Sequence, residues 1–503
     1  MWITELFSAI YSNIYLFGIL FFVSFFLLNL VKSRKPSHFP KGPPGLPFIG
    51  NVLQMDFRNP QASCHQFRKK FGDIFSLNFF NKDLVVLNGY EVLKEVLYNR
   101  SEDIADRPRF ALYEKLGALG ENRGLIIAKF GNSWKEQRRF TLTTLRNFGM
   151  GKKSLEERVL EEARCLSAEF KTHKSEPFDP HYIINNAVAN VICSIAFGDR
   201  FEYNDAKFQR LLYLFDASLK AESGFLAQLL NDVPWLTKIN WLVDYVLHTE
   251  HDLFAFLREM ISDHKKTWNP DETRDFIDAY LLEMEKVKGD PNTSLNDSNL
   301  LFTTYDLFAA GSETTSTTLR WALLFMLLYP DIQSKVQEEI DRVLGREKSP
   351  TMANILEMPY TNAVIHEIQR FGDILPLALP HMTSRDMDIQ GYFLPKGTTI
   401  ITNLSSVLND EQVWEKPYQF YPKHFLDENG KFVKQEAFMA FSAGRRNCVG
   451  EQLARMELFL FFTTLLQQFT FEIPKKQPRP RDDPVYAFTH SPHPYEICAV
   501  PRM

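Results

Sequence analysis

The amino-acid sequence predicts a mainly α-helical protein with a small β lobe, preceded by an N-terminal transmembrane helix. Three observations lead to this prediction. Residues 6–31 carry no charged side chain, and the run is long enough to span a bilayer as a helix. Helical periodicity prevails from residue 91 onwards. Strand patterns stand out in two regions, around residues 75–88 and residues 387–401.

The N-terminal apolar run is predicted to be an uncleaved membrane anchor. It is longer than the core of a cleaved signal peptide, no basic segment precedes it, and no A-x-A site follows it. Lys32, Arg34 and Lys35 come directly after it, and by the positive-inside rule they place the following chain in the cytosol. A buried core helix is the less favoured alternative. We therefore divide the chain into an anchor (1–31), a basic and proline-rich hinge (32–50) and a cytosolic domain (51–503).

Composition narrows the classes of function. With 57 basic and 62 acidic residues the formal charge is -5, which gives no indication of a nucleic-acid partner. The 44 phenylalanines are enough to line an apolar pocket as well as to fill a core. The cysteines are odd in number and show no paired spacing, which argues against a disulfide framework or a zinc site; they are Cys64, Cys165, Cys193, Cys448 and Cys498.

The segment with the clearest chemistry is residues 441–450, which reads F-S-A-G-R-R-N-C-V-G and precedes a long apolar segment. A cysteine ahead of a helix meets unpaired N–H groups and the positive end of the helix dipole, which favour the metal-binding thiolate. Gly444 and Gly450 leave the backbone open to a large flat cofactor, and Arg446 can reach an anionic group at its edge. A small buried hydrophobe is the ordinary alternative for a lone cysteine such as Cys448.

The spacing of the fixed residues around Cys448 favours a metal-binding cysteine over a small buried hydrophobe. It fits F-x-x-G-x-R-x-C-x-G at every fixed position and so resembles the haem-ligand signature of the cytochrome P-450 family. The resemblance extends over essentially the whole chain and is closest to the mammalian microsomal members of family 2. It implies the cytochrome P-450 fold, with haem b bound through Cys448. The cofactor-binding residues implied in this segment are Phe441, Gly444, Arg446 and Gly450.

A long helix is predicted over residues 302–328, interrupted by glycine and hydroxyl residues at 310–318. Such residues inside a helix cost stability and favour a local bend or a lost backbone hydrogen bond. On this stretch alone, a polar face turned to solvent is an equal alternative. Residues 310–314 match the A-G-x-E-T motif of the family in full, so the resemblance assigns catalytic roles in oxygen activation and proton delivery to Glu313 and Thr314.

Glu367 and Arg370 are one helical turn apart among apolar neighbours. Pairs with this spacing are usually solvated surface contacts, but the surroundings here predict burial. A buried pair is stable only when it is fully hydrogen-bonded. The resemblance to the E-x-x-R pair of the family implies that His424 is the third partner and that the three residues have a structural role beneath the cofactor.

Trp134 and Arg138 share a helix face by their i,i+4 spacing and offer an indole N–H and a guanidinium to a carboxylate. The resemblance adds Arg107 and His381 as further partners of the two haem propionates. A Trp-x-x-x-Arg pattern is not specific by itself.

A basic patch is predicted beside that helix face and in the residues that follow closely. It comprises Lys135, Arg139, Arg146, Lys152 and Lys153. A basic patch on a mildly acidic protein suits the docking of an acidic electron donor, and a solvated helix face is the alternative. The resemblance implies electrons from NADPH through NADPH-cytochrome reductase, with cytochrome b5 as a further candidate donor.

Residues 225–247 are largely apolar and include Trp235 and Trp241. Such aromatics either contact lipid at the membrane interface or belong to the core, and the sequence does not separate these two alternatives.

The resemblance implies a haem-thiolate monooxygenase at the endoplasmic reticulum membrane, with the catalytic domain in the cytosol. It would insert one oxygen atom from O2 into lipophilic substrates. Three runs, residues 134–142, 272–281 and 360–366, are most like subfamily J, which predicts epoxidation and hydroxylation of polyunsaturated fatty acids such as arachidonic acid. The implied substrate-binding residues are Ala309, Ala310, Leu375, Leu377 and Ala378, together with residues 110–119.

Two alternatives accompany this hypothesis. The first is a xenobiotic, drug or steroid monooxygenase of the same family. The second comes from another class and is a non-catalytic membrane haem protein that senses or carries. Such a protein would need the cysteine segment but not Glu313 with Thr314.

Overall fold

The structure is a computed structural model that describes residues 35–80, 82–121, 123–149 and 153–502. The predicted anchor, with Lys32 and Arg34 after it, lies outside the described residues, as do Lys152 and the side chain of Lys153. Within the part that is described, no helix combines the length and the apolar character that crossing a bilayer requires.

Helices make up most of the described chain, which confirms the mainly α prediction. In chain order they are α1 (Pro60–Phe71), α2 (Tyr90–Lys94), α3 (Ala111–Lys115), α4 (Asn132–Asn147), α5 (Lys153–Thr172), α6 (His181–Ala196), α7 (Ala206–Glu222), α8 (Phe225–Asp232), α9 (Asn240–Thr267), α10 (Phe276–Lys286), α11 (Asp297–Leu328), α12 (Pro330–Val343), α13 (Pro359–Gly372), α14 (Ser405–Leu408) and α15 (Glu451–Gln468). Short 3₁₀ turns lie at Val52–Gln54, Pro234–Lys238, Met352–Leu356, Pro422–Phe425 and Gly444–Arg446, and Glu95–Asn99 is a π-helical turn.

The β structure is small, as predicted. Its strands are β1 (Ile74–Phe79), β2 (Lys82–Leu87), β3 (His381–Met382), β4 (Met387–Ile389), β5 (Tyr392–Leu394), β6 (Thr399–Thr402), β7 (Phe469–Glu472), β8 (Pro484–Tyr486), β9 (His490–Pro492) and β10 (Cys498–Pro501). One sheet has the order β1-β2-β6-β3, in which β2 and β6 are parallel and the other pairs antiparallel. Both predicted strand regions contribute to this sheet. The parallel pairing of β2 with β6 therefore joins two segments that are far apart in the sequence.

The longest helix, α11, runs through the main core and packs against α6, α9, α13 and α15. It begins after Asn296, whose side chain accepts a hydrogen bond from the Asn299 N–H at 2.9 Å and so caps the helix. It ends at Leu328, two residues before Pro330, which cannot continue the same helix. A second core lies between the four-stranded sheet and its neighbouring loops.

The long helix predicted over residues 302–328 is confirmed, and α11 remains helical through the glycine and hydroxyl residues at 310–318. Gly311 allows α11 to pack closely against α6, because a Cβ at this position would lie 2.5 Å from Cδ1 of Ile192. The Thr314 and Thr318 hydroxyls donate to carbonyls one turn earlier, at 2.7 and 2.8 Å. The unusual composition is therefore compatible with close helix packing at Gly311 and with local hydrogen bonding of the Thr314 and Thr318 hydroxyls.

Candidate functional site

Cys448 lies in a tight loop between a 3₁₀ turn and the start of α15. Its N–H donates to the Phe441 carbonyl at 3.1 Å, which closes the loop. Surrounding protein desolvates the thiol and raises its pKa, and a hydrogen bond with the Gly450 backbone opposes that shift. The Cys448 side chain is nevertheless exposed. An exposed thiol among desolvating neighbours faces an internal cavity, so a ligand in that cavity would meet the sulfur.

The sequence argument expected the following helix to favour the thiolate. Without a bound metal, burial raises the pKa of the Cys448 thiol and the hydrogen bond with the Gly450 backbone opposes that shift. A bound metal cation would add stabilisation of the thiolate, since coordination deprotonates a thiol.

The structure requires a glycine at position 444 but not, for packing, at position 450. Gly444 has φ of +73°, and a Cβ on it would lie 1.8 Å from the Leu97 carbonyl oxygen. The loop must therefore approach the backbone of residues 95–99 closely, which corrects the idea that Gly444 only makes room for a cofactor. At Gly450 a Cβ would stand 4.0 Å from the Cys448 sulfur, an ordinary contact, so this glycine is not required by close packing.

Arg446 is turned into the protein two residues before the cysteine. Its guanidinium carbon stands 4.2 Å from the centroid of the Trp134 ring. Its N–H groups donate to three backbone carbonyls, those of Ala105, Leu125 and Ala128, at 2.7, 3.2 and 2.5 Å. Burial, followed by the charge of Arg107, lowers the pKa of Arg446 to about 8.

Arg107 and His381 lie beside Arg446. Arg107 donates to the Ile126, Leu379 and Pro380 carbonyls at 3.1, 3.0 and 2.7 Å, and burial lowers its pKa to about 10. His381 Nδ1 donates to the Ile104 carbonyl at 2.9 Å. Burial, followed by the charge of Arg107, lowers the pKa of His381 to about 3, so its imidazole is neutral.

Trp134 and Arg138 share a face of α4, as their spacing predicted, but both have protein partners. The Trp134 indole N–H donates to the Leu125 carbonyl at 3.2 Å. Arg138 Nη2 donates to the carbonyl and to the side-chain oxygen of Asn447, at 2.9 and 2.6 Å. The indole N–H is thus directed at the backbone and not at a shared carboxylate, which corrects that part of the expectation.

The arginines of this cluster are poorly compensated cations. Asp106 offsets the burial of Arg107 and Arg446 only in part, since the pKa of each remains lowered. A bound anion would reverse these shifts, because an opposite charge favours the ionised form of a buried group. The two propionates of haem b are such anions, and the exposed sulfur of Cys448 is at hand for its iron. The residues fit haem b.

Part of one face of α11 is not covered by other side chains. Ala310 is exposed, and Ala309 and Thr314 are half-buried, although α11 is otherwise largely buried. Ala310 and Thr314 are four residues apart and so lie on the same face. The Thr314 hydroxyl donates to the Ala310 carbonyl at 2.7 Å. The structure thus brings these three predicted residues together.

Glu313 points elsewhere. Its carboxyl accepts hydrogen bonds from the Thr489 and Thr317 hydroxyls at 2.7 and 3.2 Å, and burial raises its pKa. Thr489 lies between β8 and β9, so the acid is held against the C-terminal hairpin. Glu313 and Thr314 are adjacent in the sequence, but their side chains have different hydrogen-bond partners.

The other predicted pocket residues, Leu375, Leu377 and Ala378, lie between α13 and β3 and are half-buried. Leu377 packs against the small core of β1 and β2, and Ala378 packs against the core of the four-stranded sheet. The structure therefore places the Leu377 and Ala378 side chains against the β lobe.

A group of acids near α11 was missed by sequence reasoning. Glu222, at the end of α7, accepts hydrogen bonds from the Tyr113 hydroxyl at 2.9 Å and from the Tyr305 hydroxyl at 3.2 Å. Burial raises the pKa of Glu222 to about 7, although its side chain remains half-buried. Its tyrosine partners are 109 and 83 residues away, so no local pattern marks Glu222.

Asp306 belongs to the same group. It accepts from the Leu125 and Ile126 N–H groups at 2.6 and 3.1 Å, and burial raises its pKa to about 7. Because Asp306, Ala310 and Thr314 are spaced by four residues, they follow one face of α11. The sequence offered one signal for Asp306, namely an acidic residue within the otherwise apolar first half of the predicted helix.

Glu367 and Arg370 form a fully buried ion pair on α13. Two nitrogens of Arg370 donate to the two carboxylate oxygens of Glu367, each at 2.7 Å. His424 Nδ1 donates to Glu367 at 3.1 Å, and its Nε2 accepts from the Lys416 N–H at 3.1 Å. Further Arg370 donors reach the carbonyls of Leu408, Pro417 and Gln419. The three predicted residues lie together, and the pair has the full hydrogen bonding that burial requires.

The predicted basic patch is exposed where it is described. Lys135, Arg139 and Arg146 lie on the outer side of α4, away from Trp134. Docking of an electron donor to these residues stays a prediction.

The sequence profile of the family described as Cytochrome P450 matches residues 40–499 of this chain. The chain belongs to the cytochrome P450 family. Its relatives include Cytochrome P450 2D15 of Canis lupus familiaris, 53% identical over 479 residues, which are 95% of this chain and 96% of the relative. Cytochrome P450 2D6 of Homo sapiens is 53% identical over 472 residues, 94% of this chain and 95% of the relative. Cytochrome P450 2D4 of Rattus norvegicus is 52% identical over 494 residues, 98% and 99% of the two chains.

Family membership confirms the fold, the cofactor and the type of reaction. Cytochrome P450 proteins hold haem through a cysteine thiolate and receive NADPH-derived electrons through a reductase, and they oxidise lipophilic substrates as monooxygenases. All three relatives are of the 2D type, so the expected likeness to subfamily J is not supported. The non-catalytic alternative is not supported either.

The buried pair yields a stability prediction. Glu367→Gln keeps the shape of the side chain but leaves Arg370 as an uncompensated buried charge, so we expect the free energy of unfolding to fall by about 3–5 kcal/mol. Urea unfolding followed by far-ultraviolet circular dichroism measures this. The matched control is Glu285→Gln, which breaks the exposed i,i+3 pair with Lys288 and should cost less than about 0.5 kcal/mol. Equal losses would contradict the structural role of Glu367.

Proposed function

We propose that this cytochrome P450 oxidises lipophilic substrates that carry a cationic amine, which is the xenobiotic-type alternative. The observation that carries the proposal is the Glu222 carboxyl, which two tyrosine hydroxyls hold in the interior. Tyr305 and Asp306 connect this acid to the face of α11 that carries Ala310 and Thr314. From Asp306 to Thr314 the helix rises by about 12 Å, so a drug-sized molecule could reach both.

The acids favour a cation over a fatty acid. Burial raises the pKa of Glu222 and of Asp306 to about 7, and the charge of Glu222 makes a smaller contribution to the raised pKa of Asp306. A cationic amine would favour their ionised forms, because an opposite charge nearby offsets desolvation. The carboxylate of arachidonic acid would instead add a like charge. This contrast supports the amine over the polyunsaturated fatty acid.

The residues of the haem site have separate roles in the proposed reaction. Bound haem supplies the reductive activation of O2 and the transfer of one oxygen atom to the substrate. Cys448 provides the thiolate, and the Gly450 backbone hydrogen-bonds its sulfur. Arg107 and Arg446 would hold the propionates and would gain the counter-charge that they lack. The apolar Ala309 and Ala310 leave room for the substrate.

Proton delivery is proposed for Thr314. Its Oγ1 lies on the face that borders the internal space and donates to the Ala310 carbonyl at 2.7 Å. Rotation of the hydroxyl releases this bond and lets Oγ1 pass a proton into the space. Glu313 is proposed as a proton reserve behind α11, which Thr317 and Thr489 hold in place.

The thiolate assignment is tested by Cys448→Ser. An alcohol is a far poorer donor than a thiolate, so the reduced carbon-monoxide complex should lose the red-shifted band that marks thiolate ligation. Replacing Cys64 or Cys193 by alanine is the control and should leave that band in place, since both thiols are buried in packed cores. A red-shifted band in the Cys448 variant would move the ligand elsewhere.

The substrate class is tested by the pH dependence of amine binding. Ionised Glu222 is the form that binds a cation, so affinity for a strongly basic tertiary amine should rise from pH 6 to pH 8, as Glu222 loses its proton through a pKa of about 7. Glu222→Gln keeps an acceptor for the tyrosines and removes the charge. Its Kd at pH 8, read from the substrate-induced haem spectrum, should be roughly tenfold higher.

An uncharged analogue of the same shape is the control and should bind both forms of the protein alike at either pH. If arachidonic acid gives a binding spectrum and oxygenated products while the amine gives neither, the amine proposal fails and the fatty-acid hypothesis replaces it.

We also propose that the catalytic domain rests on the cytosolic side of the endoplasmic reticulum membrane, anchored by residues 1–31. Exposed aromatics on α8, on Pro234–Lys238 and at the start of α9 support lipid contact; they are Phe225, Trp235, Trp241 and Tyr245, with 60, 65, 71 and 70% of each exposed. A core position is therefore wrong for Trp235 and Trp241.

Brominated phospholipids, which quench nearby tryptophans, test this contact. The full-length double variant Trp235→Ser/Trp241→Ser should lose quenching relative to the unmodified chain. Trp321→Phe is the control and should leave quenching unchanged, because Trp321 is buried in the main core. Unaltered quenching in the double variant would refute the proposed contact.

A further inference from the structure

Two phenols hold the Glu222 carboxyl, and among the residues that the structure describes no lysine or arginine pairs with it. The Tyr113 hydroxyl donates to Oε1 and Oε2 at 3.0 and 2.9 Å, and the Tyr305 hydroxyl donates to Oε1 at 3.2 Å. Tyr113 belongs to α3 and Tyr305 to α11, whereas Glu222 is the last residue of α7. Three helices therefore meet at one carboxyl group.

Neighbouring groups fix the positions of both hydroxyls. The Tyr305 ring packs against Phe254 of α9, with the ring centroids 5.0 Å apart. The N–H of Leu112, the residue before Tyr113, donates to Asn231 Oδ1 at 3.1 Å and ties α3 to α8. The protein itself therefore directs both hydroxyls at the carboxyl, without help from a substrate.

The other surroundings of Glu222 oppose its ionisation. A carboxylate on the last residue of a helix meets the negative end of the helix dipole. Asp306, next to Tyr305, and Glu250, one turn before Phe254, are acids as well. Burial, followed by the charge of Glu222, raises the pKa of each. An O–H that donates to a carboxyl favours its charged form, so the phenols are the groups that act in the opposite direction.

We propose that Tyr113 and Tyr305 are positioning residues for specificity, which stabilise the carboxylate form of Glu222 and so set the pH range in which the protein prefers cationic amines to uncharged molecules of the same shape. A phenol stabilises the anion without neutralising it, as an arginine or lysine would, so the negative charge stays available to the substrate. The inference rests on the proposed function, in which Glu222 receives the amine.

The test is the pH dependence of the Kd for a strongly basic tertiary amine, read from the substrate-induced haem spectrum of the full-length protein. Tyr113→Phe removes one hydroxyl and keeps the ring. Loss of a hydrogen bond to a charged group should raise the midpoint of the pH profile by about one pH unit. At pH 7 the Kd should therefore be about fivefold higher, while an uncharged analogue of the same shape binds as before.

Tyr305→Phe should raise the midpoint in the same direction but by less, because its hydrogen bond is longer. It also provides the measurement if Tyr113→Phe does not fold. Tyr213→Phe is the matched control, since Tyr213 lies on α7 with 69% of it exposed, and it should change neither the Kd nor the midpoint.

The midpoint separates the proposed role from loss of packing. A packing defect, or loss of a direct contact with the substrate, would raise the Kd equally at every pH and leave the midpoint in place. That result would overturn the proposal, as would unchanged profiles in both variants. A shift in Tyr213→Phe as large as that in Tyr113→Phe would overturn it as well.

A double-mutant cycle separates failure of this inference from failure of the proposed function. Glu222→Gln has no carboxylate to stabilise, so most of the pH dependence should disappear, and adding Tyr113→Phe should leave the Kd unchanged. If Glu222→Gln keeps the full pH dependence, the amine binds elsewhere, and the proposed function and this inference both fail. If Glu222→Gln abolishes it while both tyrosine variants keep the original midpoint, only this inference fails.

Discussion

The buried positive charge of Arg107 and Arg446 is the constraint on which the rest of the haem site depends. Their guanidiniums donate hydrogen bonds to backbone carbonyls in segments near residues 105, 126 and 380. These bonds join three loops to the cysteine loop. Carbonyl dipoles only partly replace water around a cation, as the lowered pKa values of both arginines indicate. A bound dianionic cofactor completes this arrangement, and binding energy of this kind stabilises the folded form.

The acids near α11 lie apart from the basic residues of the cysteine loop. Arg446 is two residues before Cys448, whereas Glu222 contacts Tyr305 and Asp306 lies in the first half of α11. Apolar Ala309 and Ala310 lie between them along the helix. An amine-bearing substrate placed between these regions would have its cation attracted to the acids, and its apolar part would then extend towards the iron. Charge separation across an apolar space is a simple physical basis for orienting a substrate.

Several residues that the sequence singled out have contacts in the structure that the sequence did not predict. Gly311 and Gly444 were expected to make room for a cofactor or a bend, and both instead allow close packing, against Ile192 and against the Leu97 carbonyl. Trp134 was expected to donate to a carboxylate and donates to the backbone. In each case the residue type was informative, but its partner comes from a segment distant in sequence, and no local pattern identifies that partner.

The sequence by itself determined the helical class, the small β lobe, the cysteine segment and the buried Glu367–Arg370 pair, because each depends on spacing within a few turns of chain. Only the tertiary structure decided where the side chains go. It turned Glu313 towards Thr489, placed Glu222 beneath two tyrosines, and set Asn447 against Arg138. These contacts span between 83 and 309 residues, so they exist only after distant elements have packed, and packing also determines which charges are buried.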